Sequence, residues 1–202
     1  MTTHYLLLSG PLVPSALDGR KTQTRRIVAW SNSYVDGSIS NFWREHWHQL
    51  NFSRAWVDGG PSPAGNPGPY LHVPIRAGAG DTTHRVYPRY QVGDRLIFKE
   101  TWQETHDGII YRAGENWPKD RVWKSARFMP ARAARSINRI TEVRGQRLQE
   151  ISYEDIRAEG WPIVENGNAL TFPELWDSLN AKRGYSWESN PYVWALTFER
   201  EE

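Results

Sequence analysis

The sequence predicts an α+β fold: a small, mixed, mostly antiparallel β-barrel with short flanking helices and one loop-rich insertion. Three observations carry that expectation. Short apolar or alternating runs, such as "RLIFK", "GIIYRA" and "YVWALTFER", recur along the chain and have the length and turn-bounded character of strands. Segments with helical periodicity are few and short. Strands and helices follow one another in irregular order, which argues against a parallel sheet of β-α-β units.

Taken in order, His4 to Leu8 reads as a short buried strand. "PLVPSALDG" reads as a short helix, with Leu12, Val13, Ala16 and Leu17 at helical spacing and Gly19 where a left-handed residue closes a helix. Another strand begins within Arg25–Ala29. From about Trp30 to Pro88 the composition shifts: "NFWREHWHQL" suits a small helix, and "DGGPSPAGNPGP" is dominated by breakers of regular structure. Residues 30–88 are therefore expected to be an irregular insertion within a single domain of residues 1–202, either a lid over a site or an appendage.

Regular pattern returns with a turn at Val92-Gly93-Asp94, a strand over Arg95–Lys99, and a second strand after the turn at Asp107-Gly108. In "SINRITEVRGQRL" the apolar residues Ile137, Ile140 and Val143 fall three apart. That spacing breaks the two-residue period and calls for a bulge or twist. "SYEDIRAEG" is a helix capped by Ser152 with acids in its first turn. "TFPELWDSLNAKRG" is another, with a Thr171/Glu174 capping box and Gly184 after its basic end. "YVWALTFER" closes the chain as a strand.

Composition narrows the function classes. A chain of 202 residues without Cys has no disulfide, thiolate metal site or Cys nucleophile, and suits a cytoplasmic location. The apolar run in "MTTHYLLLSG" is too short for a signal-peptide core or a membrane span. A net charge of +2 and a pI near 8.9 are too balanced to argue for nucleic-acid binding alone. Eleven Trp residues supply core packing, or stacking platforms for bases. No phosphate-binding loop, dinucleotide fingerprint, serine-hydrolase elbow or zinc-protease motif is present, so no cofactor is expected.

Three features bear on chemistry. "LDGRKTQTRR" gathers Arg20, Lys21, Arg25 and Arg26 around Thr22 and Thr24. A Lys among like charges has a lowered pKa, lowered further by burial, and as a neutral amine can take a proton from a hydroxyl such as that of Thr24. A solvated basic loop is the alternative. Glu159 ends its helix just before Gly160, at the end of the dipole that raises a carboxyl pKa, as a general acid needs. An exposed Glu tolerating a small penalty is the alternative, and taken alone the more ordinary reading. His46 and His48 have a spacing that can bind metal from a strand, but with no Cys and no acid pattern nearby no metal site is assigned.

Taken together, "GRKTQTRR", "VGDRLIFKETW", "LQEISYEDIRAEG" and the final "YVWALTFER" resemble the ASCH family of PUA-like small β-barrels. "LLLSGPLVPSALDGRKTQTRR" and "FPELWDSLNAKRGYSWESNPYVWALTF" resemble its longer members, often encoded by phages and prophages. The resemblance covers roughly residues 4–29 and 90–200 and does not reach the insertion. It implies either an amidohydrolase that removes acyl groups from N4-acylated cytosine or cytidine, such as N4-acetylcytidine, or an RNA- or modified-base-binding module without catalysis. A few members are described as ribonucleases. Family motifs place the catalytic Lys on Lys21, the Thr on Thr24 and, less tightly, the Glu on Glu159, with Glu154 as the other register. In that scheme a protonated Glu159 donates to the leaving group, backbone N–H groups of the Lys21–Thr24 turn hold the oxyanion, and Arg20, Arg26, Trp102 and Tyr111 are candidate contacts to a small nucleoside or nucleobase.

Overall fold

The computed structural model describes residues 1–35, 42–60, 68–75, 83–113, 117–118, 120–161 and 171–201. With strands and helices numbered in chain order, the principal sheet contains β1 (Thr3–Leu7), β2 (Gln23–Ile27), β7 (Arg95–Lys99), β10 (Ser136–Arg147) and β11 (Tyr192–Arg200). Its spatial order is β1-β7-β10-β11-β2. Only the β1–β7 pairing is parallel; the other three are antiparallel. The sheet curls into a half-barrel. Among the described residues four short helices, α1 (Val13–Leu17), α2 (Phe42–His46), α3 (Tyr153–Ala158) and α4 (Phe172–Asn180), complete a mixed α+β fold of mostly antiparallel strands.

Sequence explains the central strands. From Tyr192 to Leu196 every residue of β11 is buried, as its uninterrupted apolar run requires of a strand flanked by β10 and β2. In β10 the register with β11 shifts between Ile140 and Glu142, so Ile140 and Val143 both turn into the core although three residues separate them. The expected strand at the N-terminus forms, but it is not buried. It is the outer edge of the sheet; Leu6 points inward, while Tyr5 and Leu7 are half-exposed.

The insertion is a correction to the sequence reading. Its described residues form a four-stranded antiparallel sheet, β3 (Ser33–Val35), β6 (Thr83–Pro88), β5 (Tyr70–Pro74) and β4 (Trp56–Asp58) in that spatial order. The expected helix in "NFWREHWHQL" is present as α2. Most of the Gly/Pro stretch, residues 61–67, lies outside the described residues. The physical reason for the sheet is burial: Leu71, Val73 and Val86 are fully buried and share one hydrophobic cluster with Leu96, Ile140, Trp194 and Leu196 of the principal sheet. Trp194 also packs on Gly145, where a side chain would collide with its ring, and its indole N–H donates to Ser33 Oγ at 3.0 Å.

A separate hairpin, β8 (Trp102–Thr105) with β9 (Gly108–Tyr111), packs on Met129 and Ala133. Both late helices carry the expected caps: the Ser152 hydroxyl accepts from the Asp155 N–H, and Thr171 and Glu174 make a capping box. Among the described residues no helix is long and apolar enough to cross a membrane.

Candidate active site

Two chain reversals build the site. After α1, Gly19 takes a left-handed φ of 79°, which a non-Gly residue adopts only with strain. The chain then turns back: the Lys21 N–H donates to Ser15 O at 2.8 Å and the Thr22 N–H to Ala158 O at 2.8 Å. These bonds dock the start of β2 on the C-terminal end of α3. There Glu159 keeps helical geometry and Gly160 swings to a φ of +73°. A Cβ on Gly160 would stand 2.6 Å from Lys21 Cβ and 2.5 Å from Ser15 Oγ, so only glycine lets the two segments meet this closely.

This contact brings the Lys21 ammonium onto Glu159. Lys21, 3% exposed, donates to Glu159 Oε2 at 2.8 Å, Glu159 O at 2.8 Å and Gln23 O at 2.7 Å. Its three N–H donors are thereby spent. Glu159 Oε1 accepts from Arg25 Nη1 at 3.0 Å, and Arg25 Nη2 reaches Asp155 Oδ2 at 2.7 Å. Arg144 Nη2 closes the chain on Asp155 Oδ1 at 3.1 Å. Positive and negative charges alternate along this buried network, the arrangement that makes ion burial tolerable.

Burial has opposite effects on the two central partners. It is the main influence on Lys21 and lowers its pKa, against the attraction of Glu159; the charges of Arg25 and Arg26 add only slightly. Desolvation, and not the like charges of the neighbouring Arg residues, is the leading cause. For Glu159 burial pushes upward, but the charges and hydrogen bonds of Lys21 and Arg25 together outweigh it and hold the carboxyl below its ordinary value. The expectation of a protonated Glu159, raised by the helix dipole, is thus overturned: the carboxylate is ionised because two cations clasp it.

The network forms one wall of a cavity of about 280 Å³, at the small end of ligand pockets. Thr24 and Arg26 line it from β2, and the opposite wall is apolar, from Leu12, Phe172, Leu175, Trp176 and Leu179. Lys21, Thr24, Glu159 and Arg26 therefore line one space. Glu159, not Glu154, is the acid that meets Lys21; Glu154 is exposed.

Three other candidates lie elsewhere. Arg20 turns outward and pairs with Asp18 at 2.7 Å, because the residue after the Gly19 reversal faces solvent. Trp102 is buried against Met129 and Ala133, and Tyr111 donates to Ala133 O at 2.8 Å beneath the Arg135 guanidinium. Both aromatics are core of the hairpin module and neither lines the cavity. No residue of 30–88 lines it, so the lid role has no support among the described residues.

The sequence reading missed Asp155, Arg144 and Arg183, and gave Arg25 no role beyond its charge. A signal existed for Asp155: it lies four residues before Glu159, on the same helix face. Among the described residues no three His, Cys, Asp or Glu side chains group as metal ligands do. Comparisons of the chain with models of known families, with curated proteins and with solved structures give no match.

Proposed function

We propose that the protein is an amidohydrolase removing acyl groups from N4-acylated cytosine or cytidine, with the half-barrel as a PUA-like barrel of the ASCH type. The observation that supports this is the 2.8 Å contact between Lys21 Nζ and Glu159 Oε2 in the wall of a small cavity that Thr24 also lines. In this reading the Thr24 hydroxyl attacks the acyl carbonyl. Its proton goes to Lys21 as Lys21 passes one of its own to Glu159 across that contact. The lowered Lys21 pKa favours the handover, and the lowered Glu159 pKa opposes it. Glu159, now protonated, gives the proton to cytosine N4 as the C–N bond breaks. Water then hydrolyses the Thr24 ester, releasing the carboxylic acid. The backbone N–H groups of Lys21 and Thr22 are already committed to Ser15 O and Ala158 O, so in this scheme the oxyanion faces the cavity's cations instead of the turn.

The test is cytidine release from N4-acetylcytidine by the wild type and by Lys21→Ala, Thr24→Ala and Glu159→Ala. Release by the wild type and loss in all three variants supports the assignment; no release from any N4-acyl cytidine sinks it. A second reading, a nucleobase- or RNA-binding module without catalysis, is favoured by one observation: all three donors of Lys21 are satisfied by protein acceptors. It predicts binding of cytidine or RNA with no release.

A further inference from the structure

The charges around the cavity do not cancel. Lys21 and Arg25 are matched by Glu159 and Asp155. Arg26 and Arg183 also line the cavity, and among the described residues neither is in an ion pair with a carboxylate. Arg26 stands two residues beyond Thr24 on the same face of β2. Its side chain is partly buried, and its Nε is buried without a hydrogen-bond partner. Arg183 comes from the far side. It closes the single 3-10 turn Ala181–Arg183 after α4, where Gly184 reverses the chain, and is steadied by Asn180 Oδ1 at 3.3 Å. Burial presses against the Arg26 charge; Tyr90 and the Glu159 carboxylate favour that charge without an ion pair, and the charge of Arg183 works against it.

Two guanidinium groups lining one cavity with an apolar wall, neither ion-paired with a carboxylate among the described residues, are suited to take paired anionic oxygens from a ligand. We propose that Arg26 and Arg183 form an anion subsite, so that the natural ligand carries a phosphate or carboxylate beside the group presented to Lys21 and Thr24. As a statement about the substrate this rests on the amidohydrolase reading; as a statement about binding it is read separately. The anion has two chemical sources: the 5′-phosphate of a nucleotide, or a terminal carboxylate on the acyl group.

The experiment is titration calorimetry on the full chain carrying Thr24→Ala, so that no turnover intervenes. The probes are cytidine, cytidine 5′-monophosphate, N4-acetylcytidine and N4-(3-carboxypropanoyl)cytidine. The phosphate source predicts that the monophosphate binds about tenfold or more tighter than cytidine, with the gain shrinking in high salt. The carboxylate source predicts the same advantage for the carboxypropanoyl over the acetyl compound. In either case Arg183→Met abolishes the gain; Arg183 is exposed, so this variant does not disturb the β2 core. Arg26→Met is the second arm. Equal affinities within each pair, or a gain that survives both substitutions, overturns the subsite. Failure of the hydrolase reading looks different: anion-dependent binding with no cytidine release by the wild type.

Discussion

Lys21 Nζ and Glu159 Oε2 lie 2.8 Å apart although 138 residues separate them, and neither partner has more than a tenth of its side chain exposed. Removing one member of such a pair strands a buried charge and costs about 3–5 kcal/mol. Replacing both with apolar groups restores much of that loss. Lys21→Met and Glu159→Leu singly should therefore lower the urea midpoint strongly, and the double variant should regain part of it. Cytidine release should stay absent in all three. A double variant that recovered both stability and release would show that the pair only shapes the fold.

The pH dependence of stability follows from the same pair. Glu159 has a folded pKa below its ordinary 4.5, because Lys21 and Arg25 together outweigh the upward push of burial. Its contribution is full above the unfolded pKa and is lost as pH falls through the lower folded value. Asp155 behaves likewise: burial opposes, and Arg25 with Gln23 and Arg144 prevails. Lys21 acts at the alkaline end. Its folded pKa lies below 10.5, so the cost of burying its charge is present at neutral pH and shrinks as pH approaches the unfolded value. Urea midpoints of the wild type and Glu159→Gln, measured at pH 7, 5, 4 and 3, should converge as the acid is approached. A constant gap would contradict the ionised Glu159.

The acid limb of activity is a separate prediction. The proposed relay needs Glu159 ionised at the start, so on that proposal kcat/KM for N4-acetylcytidine should fall only at a pH below the 4.5 of an ordinary Glu. Glu159→Asp, which shortens the reach to Lys21, should lower kcat more than it raises KM. An acid limb near neutrality would instead fit the protonated Glu159 that the helix dipole suggested.

What the sequence revealed and what it hid divide along a physical line. Local chemistry was legible: the left-handed Gly19, the Ser152 cap, the Thr171/Glu174 box and the bulge after Ile140 each rest on a few adjacent residues. The meeting of Lys21 with Glu159 was reached through the family resemblance and not through spacing. The sheet of β3, β4, β5 and β6 was hidden because its strands are short and separated by Gly/Pro-rich stretches, while what stabilises it is burial against Trp194 and its neighbours, which are distant in sequence. Trp102 and Tyr111 were misplaced because an aromatic suited to stacking on a base is equally suited to packing on Met129 and Ala133. Arg25 and Arg26 are adjacent and identical and both line the cavity, yet only Arg25 is ion-paired with Glu159 and Asp155, a difference that nothing in the local sequence announces.

Gly160 is the structural condition for the site. Any Cβ there meets Lys21 Cβ and Ser15 Oγ well inside contact distance, at a φ of +73°. Gly160→Ala should cost about 2 kcal/mol or more from strain and overpacking combined. The displacement should fall on the docking of α3 against Lys21, so cytidine release should drop further than the stability loss accounts for at a temperature where the variant is folded. Gly19→Ala is the control. It has the same sign of φ but open space around it, and it should lose stability with little change in release.

Trp194 is fully buried, and its indole N–H has Ser33 Oγ as partner at 3.0 Å, joining β11 to the first strand of the second sheet. Ser33→Ala leaves that N–H unpaired in the core, at a cost of about 1–3 kcal/mol. In a Trp194→Phe background there is no N–H to strand, so the same substitution should cost about 0.5 kcal/mol or less. Because Val73, Val86 and Trp194 share one cluster, tryptophan fluorescence and far-ultraviolet dichroism should report a single transition in every variant. Two separate transitions, or an equal cost of Ser33→Ala in both backgrounds, would mean that the second sheet is held independently of Trp194.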